Sequence, residues 1–269
     1  MKLLLKTVLG LFLVGCTWNV SQAETLTSQA IFGSGNSNTL FNVVRTDGVE
    51  IGLRAKVRYE NDDSIVGENS PQDVYYIDHV VDPSDSNLAS WNFDWSVNTN
   101  FDGSGANLAN YTFLLSIEYD PLSSGGSADS TSINPAPTSG FASFFNDNAY
   151  GNNSTVNGGG VEPWSSGFSP SPSTLHNNNN VMQNSLNVGF AGIGFDPSYS
   201  GLYTIILSVF DGGSSPLATN QIQVYAGVEP PSAVPEPTSM AILGMGVLGF
   251  VGGGVARRRL KQKKEASNS

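Results

Sequence analysis

Between Glu24 and Gly227 the chain repeatedly alternates apolar and polar residues with a period of two, the pattern of strands buried on one face. In EIGLRAKVRY, Ile51, Leu53, Ala55, Val57 and Tyr59 share one face and Glu50, Arg54, Lys56 and Arg58 the other. In WNFDWSV, Trp91, Phe93, Trp95 and Val97 alternate with Asn92, Asp94 and Ser96. The same rhythm runs through Tyr111, Phe113, Leu115, Ile117 and Tyr119, through Tyr203, Ile205, Leu207 and Val209, and through Ile222, Val224 and Ala226. No amphipathic helix of three turns interrupts it. The pattern predicts an all-β domain over residues 24–230, an antiparallel β-sandwich with Gly, Pro and Asn turns. Two stretches, YTFLLSIEYDPLSSGG and YTIILSVFDGGSSPLA, share a Tyr-Thr strand, an acid and a Gly/Ser turn. An internal duplication or the ordinary likeness of strands accounts for this. Residues 121–180, rich in Gly, Ser, Asn and Pro, are too long for a simple connection and read as a loop-rich excursion, pinned by FASFF at Phe141–Phe145. Within it HNNNN, from His176 to Asn180, reads as a solvated loop.

The two ends break this pattern. Residues 1–23 carry Lys2 and Lys6, an apolar run from Val8 to Val14 and the small-x-small site Ser21-Gln22-Ala23, which together predict a secretory signal peptide. Leu13-Val14-Gly15-Cys16 offers a rival processing site, with Cys16 lipidated. Cleavage after Ala23 discards Cys16, the sole cysteine, and leaves a mature chain without a disulfide. In residues 231–269, Met240–Ala256 is a 17-residue uncharged run, near the lower limit of a single transmembrane helix at about 1.5 Å per residue. Arg257, Arg258 and Arg259 open a basic tail, 257–269, that acts as a membrane stop and holds the C-terminus in the cytoplasm. Pro235 and Pro237 bar the helix from extending backward.

Charge sharpens this division. Between Glu24 and Ala233 there are four basic residues, Arg45, Arg54, Lys56 and Arg58, against 21 of the chain's 23 acids. Such a segment lacks the clustered cations that nucleic-acid binding requires.

Val234, Pro235, Glu236 and Pro237, followed by a glycine-rich apolar run and an arginine cluster, resemble the PEP-CTERM sorting signal of exported proteins of Gram-negative bacteria. The resemblance implies recognition of the motif by an exosortase, a membrane peptidase-transpeptidase, in bacteria that make exopolysaccharide. It implies a transient inner-membrane anchor, then release to the cell surface or the extracellular matrix of a biofilm. The expected role is structural or adhesive. The alternative is a lectin-like module that grips polysaccharide through exposed Trp91, Trp95 or Trp164.

Candidate chemistry in the middle is sparse, and the reading is of a protein that is not an enzyme. Asp94, Glu118 and Asp120 are acids of the kind that cleave glycosidic bonds in pairs, a third option, but sequence spacing sets no carboxyl separation. Asn98, Asn100 and Asp102 resemble half of a calcium loop, with Ala109 where a bidentate Glu belongs, and Asp82 and Asp85 form another oxygen-rich turn. No cofactor is expected beyond weak calcium. His79 and His176 lack cysteine partners, so zinc is not expected either.

Overall fold

The computed structural model describes residues 22–33, 36–38, 40–58, 73–77, 81–122, 124–137, 147–163, 167, 169–190, 195–196 and 200–228. They form two sheets with little helix. Sheet A has six strands: β1 (Gln22–Glu24), β2 (Phe41–Thr46), β3 (Val49–Val57), β5 (Trp91–Asn98), β8 (Ala149–Gly151) and β9 (Val181–Asn187), in the order β1-β2-β3-β5-β9-β8. Sheet B has five: β4 (Val74–Ile77), β6 (Thr112–Pro121), β7 (Asp129–Ile133), β10 (Gly201–Phe210) and β11 (Ala218–Ala226), in the order β4-β11-β10-β6-β7. The purely antiparallel expectation needs one correction, because β4 runs parallel to β11.

The period-two residues are the ones that meet between the sheets. Ile51, Leu53, Trp91, Phe93 and Trp95 of sheet A and Leu115, Ile117, Tyr203, Ile205 and Ile222 of sheet B belong to one buried cluster. Trp91 meets Tyr203 edge-on at 5.1 Å, a favoured ring geometry. β2 and β3 are joined by Asp47-Gly48, with φ of 46° and 78°, a left-handed pair whose twist matches the hairpin. The two similar stretches are neighbours: β6 and β10 pair antiparallel with Leu115 opposite Leu207, and each continues into a hairpin, β6–β7 and β10–β11.

Sheet B behaves as an ordinary half-buried sheet, with Thr112, Leu114, Glu118 and Asp120 of β6 facing solvent. Sheet A does not. Its polar outer face, expected in water, is covered, and β3 and β5 are buried along their whole length. The cover is the segment that follows β1. Leu26, Ala30, Ile31 and Phe32 form a second small core with Phe41, Val43, Ala149 and Val181. Gly52 makes this close approach possible, since a Cβ there would lie 2.5 Å from Leu26 Cδ2.

The stretch 121–180 is likewise more than an excursion. It supplies an edge strand to each sheet, β7 to B and β8 to A, and ends in a short helix, α1 (Pro172–Asn178), capped by Ser171. His176 lies in that helix at 2% exposure, so the expected solvated loop is corrected there. Leu175 and His176 face inward, and the exposed asparagines around them had masked that face in the sequence.

Among the described residues no helix is long and apolar enough to cross a membrane. The expected span Met240–Ala256, Phe141–Phe145 and His79 lie outside the described residues, as does the expected leader apart from Gln22 and Ala23, which stand in β1.

Candidate functional site

The acids and aromatics singled out in the sequence occupy three separate places. Asp94, on the outer face of sheet A and fully buried, binds two cations from the neighbouring strand β3. Its Oδ2 lies 2.7 Å from Arg54 Nε and 3.4 Å from Lys56 Nζ. Arg54 also donates to Ser37 O at 2.8 Å and lies 4.2 Å over the ring of Phe41, and Lys56 donates to Asn36 Oδ1 at 2.6 Å. The cluster therefore ties sheet A to the segment that covers it. A buried charge is tolerated only when paired in this way.

Two further buried polar groups fasten the same cover. Glu50 accepts the amide of Thr27 at 3.0 Å and its hydroxyl at 2.8 Å, and takes Arg45 Nε at 2.7 Å. Arg45 reaches on to Glu24. Gln183, from β9, accepts the Ile31 amide at 2.7 Å and donates to Gln29 O at 3.0 Å. Each side chain thus serves backbone groups of a segment that lacks a sheet partner of its own, which is the condition for burying it.

Glu118 and Asp120 stand apart from Asp94, on exposed positions of β6 in the other sheet. Trp91 and Trp95 are fully buried, which corrects the expectation that they are exposed; Trp164 lies outside the described residues.

Asn98, Asn100 and Asp102 do fall together where β5 ends and turns, but the Oδ1 of each accepts hydrogen bonds from the protein itself. Asn98 Oδ1 accepts from Asn100 N and Asn180 Nδ2, and Asn100 Oδ1 from Gly105 N. Asp102 Oδ1 accepts the hydroxyl and the amide of Ser104, and these bonds hold its carboxyl below the usual range. Asp82 and Asp85 cap turns in the same manner, through Ser84 and Asn87. Among the described residues no group of three His, Cys, Asp or Glu is placed to hold a metal ion.

The clamp of Glu50, Arg54, Asp94 and Gln183 was not read from the sequence. One signal pointed to it: three of the four cations between Glu24 and Ala233, Arg54, Lys56 and Arg58, alternate in sequence, the first two within β3. So concentrated a positive face in an acidic segment calls for a buried carboxylate opposite.

The described residues end at Val228, shortly before the Pro-Glu-Pro motif. Residues 233–259 match the PEP-CTERM protein-sorting motif. The chain carries a PEP-CTERM sorting signal. The PEP-CTERM match covers Val234, Pro235, Glu236 and Pro237 as well as Arg257, Arg258 and Arg259, all outside the described residues. A PEP-CTERM signal implies an exported protein, sorted by an exosortase to the cell surface. No curated protein and no solved structure matches the chain.

Proposed function

We propose that this PEP-CTERM protein is a structural or adhesive component of the cell surface or exopolysaccharide matrix, without catalytic activity and without a required cofactor. On this reading the leader is cleaved, the apolar run anchors the chain in the inner membrane with its tail in the cytoplasm, and an exosortase reads Val234–Pro237 and releases it. The carrying observation is that the interior charges are spent on fastening one layer to another: Asp94 to Arg54 and Lys56, and Glu50 to Thr27 and Arg45. That supports a load-holding module better than a catalyst, whose acids must meet across a substrate. In the turn at Asn98, Asn100 and Asp102, Oδ1 of each residue already accepts hydrogen bonds, which supports at most a weak calcium site there.

The test is cohesion of the surface film in a strain lacking this gene. Cohesion is expected to fall and to return with the full-length chain, but not with a chain ending before Val234. Undiminished cohesion in the deletion strain would refute the role.

A further inference from the structure

A cavity of about 260 Å³ opens where α1 meets the start of β6 and the end of β7. Its floor is buried: Phe113 and Ala136 supply apolar surface, and His176 stands beside them. The His176 Nε2 lies 3.3 Å from Tyr150 Oη, which leaves Nδ1 as its second polar atom. Burial pushes the imidazole pKa down to about 4, so at neutral pH the ring is uncharged, with one donor and one acceptor nitrogen.

The rim adds neutral groups with capacity to spare. Asn177 spends its amide nitrogen on Ser173 O at 2.9 Å and keeps Oδ1. Asn134 spends Oδ1 on the Ala136 amide at 2.9 Å and keeps Nδ2. The hydroxyls of Thr112 and Ser173 also line the opening, and half-buried Tyr111 offers ring surface. Among the described residues no Asp, Glu, Lys or Arg lines the cavity. The larger hollows of sheet B differ, being lined by acids such as Asp120 and Asp129.

We propose that this cavity binds one neutral sugar unit of a polysaccharide. Hydroxyls present donors and acceptors together, as the rim does, and the C–H face of a sugar ring suits an aromatic wall. The volume lies below that of sites for drug-sized ligands, which leaves room for a single ring. A uronic acid would bring a carboxylate into a cavity with no cation to meet it, and a metal ion would find no carboxylate. The inference deepens the proposed matrix role by naming the polymer class, and it rests on that role only for where the sugar is met.

The experiment uses purified full-length chain with neutral tetrasaccharides of glucose, galactose and mannose, and with a tetrasaccharide of uronic acid. The chain has two histidines, so His176→Gln assigns the His176 imidazole signal in nuclear magnetic resonance spectra. At least one neutral tetrasaccharide is expected to bind and to shift that signal. Ser173→Trp, at an exposed position on the rim, is expected to fill the cavity and weaken binding by about tenfold or more. Asn177→Ala, which removes the exposed Oδ1 together with the hydrogen bond to Ser173 O, is expected to weaken it in the same direction. The proposal is overturned if no neutral tetrasaccharide moves the His176 signal, if both variants bind as the parent does, or if the uronic acid binds as tightly as the neutral sugars. Such a failure leaves the surface role to be judged by cohesion of the film.

Discussion

Asp94 illustrates how one residue can be read correctly for type and wrongly for task. In the sequence it stood as one of the acids of the kind that cleave glycosidic bonds in pairs, yet it neutralises Arg54 and Lys56 under a covering segment. Removing it should leave two buried cations without their carboxylate. Asp94→Ala is therefore expected to cost about 3–5 kcal/mol in chemical denaturation. Replacing Arg54 and Lys56 with Met in the same chain should restore part of that loss. His176 gives a second test at this scale. Its pKa falls from 6.5 in the unfolded chain to about 4 in the fold through burial. Below pH 6.5 the unfolded state binds a proton that the native state refuses, so stability falls as the pH drops from 6.5 toward 4. The melting temperature at pH 4.5 should lie below that at pH 7, and His176→Gln should narrow the gap. An equal gap in both proteins would show that His176 does not contribute to it.

At the scale of elements, the covering segment from Leu26 to Phe32 decides the character of sheet A. By itself TLTSQAIFG reads as nothing more than a connection, because it has neither a strand's alternation nor a helix's spacing. It is held instead by side chains distant in sequence, Glu50 at Thr27 and, 152 residues away, Gln183 at Ile31. Gly52→Val raises local strand propensity and should nonetheless destabilise, because the new side chain occupies the space of Leu26. The expected cost is about 1–3 kcal/mol, with faster hydrogen exchange at the amides of Thr27 and Ile31 and unchanged strand content by circular dichroism. Unaltered exchange at those two amides would mean that the segment is not seated through Gly52.

At the scale of the whole molecule, the PEP-CTERM signal at residues 233–259 carries the address and lies outside the described β-domain. Prolines favour an extended backbone of the kind a peptidase cleft grips, and in the proposed processing the charge of Glu236 would meet a cationic pocket. Replacing Pro235, Glu236 and Pro237 with Ala should keep the anchor and block its removal. Mass spectrometry of the exported protein is expected to find a C-terminus near Pro237 in the native chain and an intact tail in the variant. Native protein that still carries Arg257–Ser269 would instead favour a permanent anchor.

Sequence alone determined what is encoded by neighbours along the chain. The strands β3, β5, β6, β10 and β11 and their inward residues followed from the period of two, because alternation is a local property of an extended backbone, whereas β1, β2, β4, β7, β8 and β9 were not read there. The sorting signal was legible for the same reason, since a peptidase reads it as a linear string. Tertiary structure alone decided that the polar face of sheet A would be covered, that Trp91 and Trp95 would be core, and that His176 would lie buried beside a neutral cavity. Those outcomes depend on which distant segments come to rest on a face. That is settled by the competition between burying apolar groups and satisfying every polar one, and no local pattern records its result.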